Sequence, residues 1–109
     1  MSGITTHVLD TALGRPAAGV AVRLEKKEGE AWVMLGASKT DADGRCRDLA
    51  AAAAAGVYRL IFETGEYFRA MERKSIYPEI AVTFTTSGEA HYHLPLLVTD
   101  NSYTTYRGS

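Results

Sequence analysis

The feature that most constrains the fold of this chain is a succession of short β-rich segments, each ending at a turn signal. Seven such segments occur, at 4–9, 20–24, 32–35, 57–62, 80–84, 91–98 and 103–107. The turn signals between them include 14–16, the polar stretch 26–30, 41–44 and 87–88, with an arginine at the start of a further strand after Gly44. Many short strands with regularly spaced turns are typical of a sandwich. We therefore predict a mainly β protein, a two-sheet antiparallel β-sandwich with seven or eight strands.

Two segments depart from the strand pattern. Residues 66–73 have helical spacing, with Tyr67, Ala70 and Met71 on one side, and predict one short helix. The alanine run 50–55 has no caps and ends at Gly56, so a loop or an irregular turn is expected there. The predicted core comprises Val8, Val22, Leu24, Leu60, Phe62, Val82, Phe84, Leu94 and Leu96.

Length and charge limit the class of protein. A chain of 109 residues predicts a single domain covering 1–109. The formal net charge of -1 and the absence of a basic cluster argue against nucleic acid as a partner. No secretory leader is recognisable, and the longest apolar run is too short for a bilayer, so no membrane association is expected. A lone cysteine, Cys46, fits a reducing compartment and predicts a cytoplasmic protein. Cys46 itself is expected to be a small buried hydrophobe rather than a nucleophile.

The segment 91–97, His-Tyr-His-Leu-Pro-Leu-Leu, is the most informative for chemistry. Side chains alternate along a strand, so if Leu94 faces the core, His91, His93 and Pro95 share the outer face. Histidine is suited to general acid/base catalysis because its ordinary pKa lies near neutrality. Three interpretations remain open at this point: surface histidines, an acid/base group, or a zinc site that takes a further ligand from His7 or a carboxylate.

Three further elements of the sequence could belong to a site. His7 lies in the first segment and shares a face with Thr5 and Leu9. Arg45 follows the turn glycine and places a permanent cation at a strand start. The terminal residues 106–109, Tyr-Arg-Gly-Ser, combine an aromatic ring, a guanidinium group and a carboxylate, which would suit recognition of a planar anion. Each is also compatible with an ordinary surface or a frayed end.

Four motifs together resemble a known family. They are His-Val-Leu-Asp at 7–10 with Gly-Arg-Pro-Ala at 14–17, Thr-Asp-Ala-Asp-Gly-Arg at 40–45, the segment 91–97, and Tyr-Thr-Thr-Tyr-Arg-Gly-Ser at 103–109. This set, spread over nearly the whole chain, is similar to the transthyretin-like 5-hydroxyisourate hydrolases. The terminal Tyr-Arg-Gly-Ser is the motif that separates these enzymes from transthyretin itself, a hormone carrier with the same fold.

The resemblance implies a transthyretin-like sandwich of two four-stranded sheets, assembled as a homotetramer with active sites in a central channel. It implies hydrolysis of 5-hydroxyisourate, the product of urate oxidation, to 2-oxo-4-hydroxy-4-carboxy-5-ureidoimidazoline, without cofactor or metal. The implied catalytic residues are His7, Arg45, His93 and Ser109. The implied substrate-binding residues are Tyr106, Arg107 and Gly108, and His91 is a weaker candidate. The alternatives are a transthyretin-like protein that binds a small ligand without catalysis, and a structural sandwich domain.

Overall fold

Two β-sheets and one short helix make up the described residues, 3–50, 53–88 and 91–108, of a computed structural model. The strands are β1 (Ile4–Asp10), β2 (Arg15–Pro16), β3 (Ala21–Glu28), β4 (Ala31–Lys39), β5 (Arg45–Ala50), β6 (Gly56–Phe62), β7 (Ile80–Thr86), β8 (Tyr92–Val98) and β9 (Tyr103–Thr105). The helix is α1 (Thr64–Ala70). The first sheet has the order β2-β1-β8-β9 with β5 also paired to β1, and the second has the order β4-β3-β6-β7.

The core lies between the two sheets. In β1 the buried positions alternate with half-buried ones, so Ile4 and Val8 face inward while Thr5 and His7 face outward. This is the alternation expected of a strand that covers a core on one side only. Seven of the nine predicted core residues belong to the buried core cluster, and the other two, Val82 and Phe84, are partly buried and pack against it.

The strand prediction was close but not complete. The described residues form nine strands rather than seven or eight, and the first sheet has five rather than the four that the resemblance implied, because the short β2 joins it. Only residues 29–30 of the predicted polar turn at 26–30 form a turn. Its residues up to Glu28 continue β3 and pair with β4, because the ladder joins backbone groups whatever the polarity of the side chains.

The predicted helix at 66–73 exists but lies earlier, at Thr64–Ala70. Its buried aromatic residue is Phe68, at 1% exposure, whereas Ala70, one of the three residues whose spacing predicted the helix, is exposed. The helix ends before Arg73 because the chain turns back there: Glu72 has a φ of 56°, and the Arg73 N–H donates to the carbonyl of Phe68. In the alanine run, Ala50 ends β5, residues 51–52 lie outside the described part, and 53–55 form neither helix nor strand, as predicted.

A buried ion cluster joins α1 to the end of β1. Arg73 donates to Asp10 at 2.6 Å and to Asp100 at 2.6 Å, while the Tyr67 hydroxyl donates to Asp10 at 2.8 Å. Asp10 is fully buried. Burial alone would raise its pKa, but the hydrogen bonds from Arg73, Tyr67 and the Leu13 amide outweigh that effect and lower the pKa below its ordinary value. The cluster therefore holds a charged Asp10 in the interior and fixes the segment that follows α1.

No helix among the described residues has both the length and the apolar character needed to cross a bilayer.

Candidate active site

Three neighbouring strands of the first sheet, β5, β1 and β8, bring Arg45, His7 and His93 onto one face. In the register of β1 with β8, which run parallel, Thr5 pairs with His93 and His7 pairs with Pro95. On its other side β1 pairs antiparallel with β5, and His7 lies opposite Arg45. Positions that pair across a sheet point to the same face. Sequence positions almost ninety residues apart therefore become neighbours, and the sequence showed the alternation but not this register.

A cavity of about 530 Å³ opens on this outer face. The described residues that line it are Thr5, Thr6, Arg45, Arg47, His91 and His93. Two guanidinium groups and two imidazoles make the lining suitable for a planar, electron-rich or anionic ligand. Sequence analysis missed Arg47, although its spacing of two residues from Arg45 in a strand would have placed it on the same face. A larger cavity of about 680 Å³ near α1 contains none of the histidines and not Arg45.

The Thr5 hydroxyl lies between the two histidines of β8. Its Oγ1 is 3.0 Å from His91 Nε2 and 2.9 Å from His93 Nδ1. Both distances are those of ordinary hydrogen bonds. We had grouped Thr5 with His7 by alternation but assigned it no role, because only the parallel pairing of β1 with β8 brings it to the imidazoles.

His93 is the half-buried imidazole of the site. Burial lowers its pKa below the ordinary value of 6.5, and positive charge on Arg45, His7 and His91 lowers it further. Its Nδ1 is engaged by Thr5, which leaves Nε2 as the ring nitrogen available to a ligand. A neutral imidazole with a free Nε2 can accept a proton at neutral pH.

His7 is held differently. It does not belong to the cavity lining described above, and its Nε2 lies 2.8 Å from the backbone carbonyl of Asp43. Because a carbonyl oxygen only accepts, His7 carries a proton on Nε2 and donates it. Of the two predicted histidines, His93 thus faces the cavity and His7 lies beside it, at the strand position opposite Arg45.

The turn at 41–44 positions both His7 and Arg45. The carboxylate of Asp41 accepts hydrogen bonds from the Asp43 N–H at 2.9 Å and the Arg45 N–H at 3.0 Å. Gly44 has a φ of 78°, and a Cβ there would lie 2.4 Å from the Val8 carbonyl oxygen. Only glycine meets both requirements. The predicted turn is confirmed, and it fixes the Asp43 carbonyl to which His7 donates.

The chain terminus runs along β8. The Gly108 N–H donates to the His93 carbonyl at 2.7 Å, and the two residues form an isolated β-bridge. The Arg107 guanidinium lies 4.1 Å from the centre of the Tyr92 ring, and the Tyr106 side chain is exposed. Gly108 therefore contacts His93, whereas Tyr106 and Arg107 are not among the described residues that line the cavity. Ser109 lies outside the described residues.

A zinc site and a nucleophilic cysteine are two other interpretations of the sequence. Among the described residues, no group of three or more histidine, cysteine or acidic side chains is arranged to hold a metal ion. Cys46 faces the core with 1% exposure, and burial raises the pKa of its thiol to about 11. The expectation of a buried, unreactive thiol fits this position.

Comparison with known proteins places the chain in a family. The model of the HIUase/Transthyretin family matches residues 4–108. A 5-hydroxyisourate hydrolase from Salmonella dublin is 46% identical, over 97% of this chain and 80% of that protein. The solved structure of Klebsiella pneumoniae 5-hydroxyisourate hydrolase has a TM-score of 0.89 and 38% identity, covering 99% of this chain and 100% of that one. Transthyretin from Sparus aurata has a TM-score of 0.92 and 31% identity, covering 96% and 95%. This chain belongs to the HIUase/Transthyretin family.

Proposed function

We propose that this protein hydrolyses 5-hydroxyisourate to 2-oxo-4-hydroxy-4-carboxy-5-ureidoimidazoline in urate degradation, with no cofactor and no metal. One observation carries the proposal: His93, an imidazole with a lowered pKa, faces a cavity beside Arg45. The naming of relatives at 46% and 44% identity as 5-hydroxyisourate hydrolases supports the same reaction.

His93 is the general base in this proposal. Water is a weak nucleophile, and an imidazole that removes its proton during attack accelerates hydrolysis by about 10²–10⁴-fold. The His93 Nε2 takes a proton from water as the oxygen adds to a ring carbonyl carbon. The ring C–N bond then breaks, the carbonyl carbon becomes the carboxyl group of the product, and the ring nitrogen takes a proton. His7, the cross-strand neighbour of Arg45, acts as the orienting partner or proton donor.

Arg45 binds the developing oxyanion and the planar ring. Its guanidinium has donors in a fixed planar fork, and preorganised donors aimed at developing charge are a large source of rate enhancement. The terminal residues complete the substrate pocket: Tyr106 supplies a planar wall, Arg107 and Gly108 close it, and Ser109 contributes a catalytic group. The hydrogen bond of Gly108 to His93 supports this placement of the terminus.

The proposal includes a homotetramer with the active sites in a channel between subunits. The site lies on the outer face of the first sheet, where a second copy could cover it and exclude water. Each sheet also ends in an edge strand, β9 in the first and β7 in the second, and such edges can pair with another copy. We further propose that residues 1–109 act as one domain and that the protein is cytoplasmic, which fits its single unpaired cysteine.

A ligand carrier is the second candidate, because the structure is also close to that of Sparus aurata transthyretin. The chemistry of the cavity favours the enzyme. A carrier of an apolar ligand would gain from an apolar lining, whereas this lining contains His91, His93, Arg45 and Arg47.

Single substitutions test the assignment. His7, Arg45 and His93 are each replaced by alanine, and turnover of freshly generated 5-hydroxyisourate is measured beside circular dichroism and the oligomeric mass. The proposal predicts loss of turnover in folded variants of unchanged mass. Near-normal rates in folded His93→Ala and Arg45→Ala would contradict it.

A further inference from the structure

Thr5 connects His91 and His93 through a single hydroxyl group. The hydroxyl has one proton to donate and lone pairs that accept. Because Oγ1 is within hydrogen-bonding distance of both His91 Nε2 and His93 Nδ1, a proton donated to one ring cannot be donated to the other. The protonation of His91 Nε2 therefore determines whether His93 Nδ1 donates a hydrogen bond to Thr5 or accepts one from it.

We propose that Thr5 is a positioning residue that sets the tautomer of His93 and couples it to His91. The assignment deepens the proposed function and rests on it for its consequence in catalysis. The coupling itself depends only on the two hydrogen bonds of Thr5 and not on the reaction.

Two pairings satisfy all three groups. When His91 Nε2 has no proton, Thr5 donates to it and accepts from His93 Nδ1–H. His93 Nε2 then carries a lone pair toward the cavity, which is the form needed for a general base. When His91 Nε2 carries a proton, it donates to Thr5, and Thr5 donates to His93 Nδ1. His93 then has its proton on Nε2 and can only donate into the cavity.

The surroundings of His93 leave this role to Thr5. Among the residues that the structure describes, the charged or titratable groups that face it are Arg45 and Arg47 from β5, His7 from β1 and His91 from its own strand. None of these is a carboxylate, which in many enzymes orients a catalytic histidine. From the terminus, Gly108 contacts His93 through its main chain. Among the described residues, the hydrogen-bond partner of His93 Nδ1 is the Thr5 hydroxyl.

Nitrogen NMR of ¹⁵N-histidine-labelled protein tests the coupling without substrate. The chain has only three histidines, so the ring nitrogens can be assigned with His7→Gln and His91→Phe samples. In the wild type, the step at which His91 gains a proton as the pH falls should coincide with a change of His93 from the Nδ1–H to the Nε2–H form. In Thr5→Val, which keeps the shape and removes the hydroxyl, this coincidence should disappear. Thr5→Ser should restore it.

The matched control is Thr83→Val, at an exposed strand position of the other sheet. It should leave both histidine titrations as in the wild type. A change of His93 tautomer that still coincides with protonation of His91 in Thr5→Val would overturn the proposal, and so would a single His93 tautomer at every pH in the wild type. So would loss of the coupling in Thr83→Val, because the effect would then be a general response of the fold.

Steady-state kinetics provide a second test of the coupling. Thr5→Val should lower kcat roughly five- to tenfold, the factor that one ordinary hydrogen bond corresponds to, with a smaller change in KM. His91→Phe should have almost no added effect in the Thr5→Val background, since the bridge is already absent. Additive effects would overturn the coupling. If the wild type hydrolyses nothing while the NMR coupling is present, the proposed function fails and the coupling stands.

Discussion

Gly108 lies directly against His93. Its N–H donates to the His93 carbonyl oxygen at 2.7 Å, and a Cβ built on Gly108 would lie 2.9 Å from His93 Cδ2. Real side chains do not approach so closely, so a larger residue must displace either the terminus or the imidazole. The glycine of the terminal motif is thus explained by contact with the proposed base.

Gly108→Ala should reduce kcat by at least tenfold, because general-base catalysis depends on the position of the imidazole. The free energy of unfolding should change little, since Gly108 lies outside the named strands and its backbone hydrogen bond to His93 does not depend on a side chain. Turnover and urea unfolding measure the two effects. Thr104→Ala, an exposed position in the same terminal segment, is the control and should keep its activity. A fully active Gly108→Ala would show that the contact has no role in catalysis.

The two arginines of β5 should differ in their effect on catalysis. Replacing Arg45 by glutamine should lower kcat about 10²–10³-fold, the range found when a donor to an oxyanion is removed. Arg47→Gln should lower kcat less, because this side chain, although it also lines the cavity, is 65% exposed and its ion pair with Asp41 spans 3.6 Å. Steady-state kinetics of both variants decide the matter. Equal losses would assign the two arginines a shared role in binding the substrate.

The pH dependence of kcat/KM should reflect the lowered pKa of His93. Burial, followed by the charges of Arg45, His7 and His91, holds that pKa below 6.5. A base is active when deprotonated, so more than half of the rate should remain at pH 6.5, and it should fall as the pH drops further. Arg45→Gln removes one of the positive charges and should move the remaining activity's acid limb to higher pH. An acid limb above pH 6.5 in the wild type would contradict the assignment.

The ion cluster of Asp10 predicts a large effect on stability. Arg73→Met leaves the carboxylate of Asp10 buried without its cation and should cost about 3–5 kcal/mol in the free energy of unfolding at neutral pH. Arg69→Met is the control, because Arg69 and its partner Glu66 are both exposed and their pair should contribute almost nothing. Urea denaturation compares the two variants. Similar midpoints would mean that the cluster does not stabilise the fold.

The same cluster makes the free energy of unfolding depend on pH. The pKa of Asp10 is lower in the folded protein than its ordinary value of 3.8, so the stabilisation is complete above that value. It is lost as the pH falls through the folded-state pKa, and Arg73→Met should flatten this part of the stability curve.

How far the sequence predicts the structure depends on the range of the interaction. Alternation in 91–98 correctly placed His91 and His93 together on the outer face, and the turn before Arg45 was predicted because glycine at position 44 can take a positive φ. These are local properties. The bridge of Thr5 to the histidines, and the donation of His7 to Asp43, depend on pairing between distant strands, which one sequence does not contain.

The helix shows the same limit. Its spacing predicted a helix near 66–73, but the helix ends at Ala70 and buries Phe68, and Arg73 beyond it pairs with Asp10. An ion pair between residues so far apart in the chain has no local pattern that would reveal it.

The measurement that tests the account most directly is the decay of 5-hydroxyisourate absorbance. Urate is oxidised in the cuvette by urate oxidase, this protein is added, and the ultraviolet decay is compared with the spontaneous rate and with that of His93→Ala. The account predicts strong acceleration by the wild type and little or none by folded His93→Ala. Decay at the spontaneous rate in the presence of folded wild-type protein would contradict it and favour a ligand-binding role.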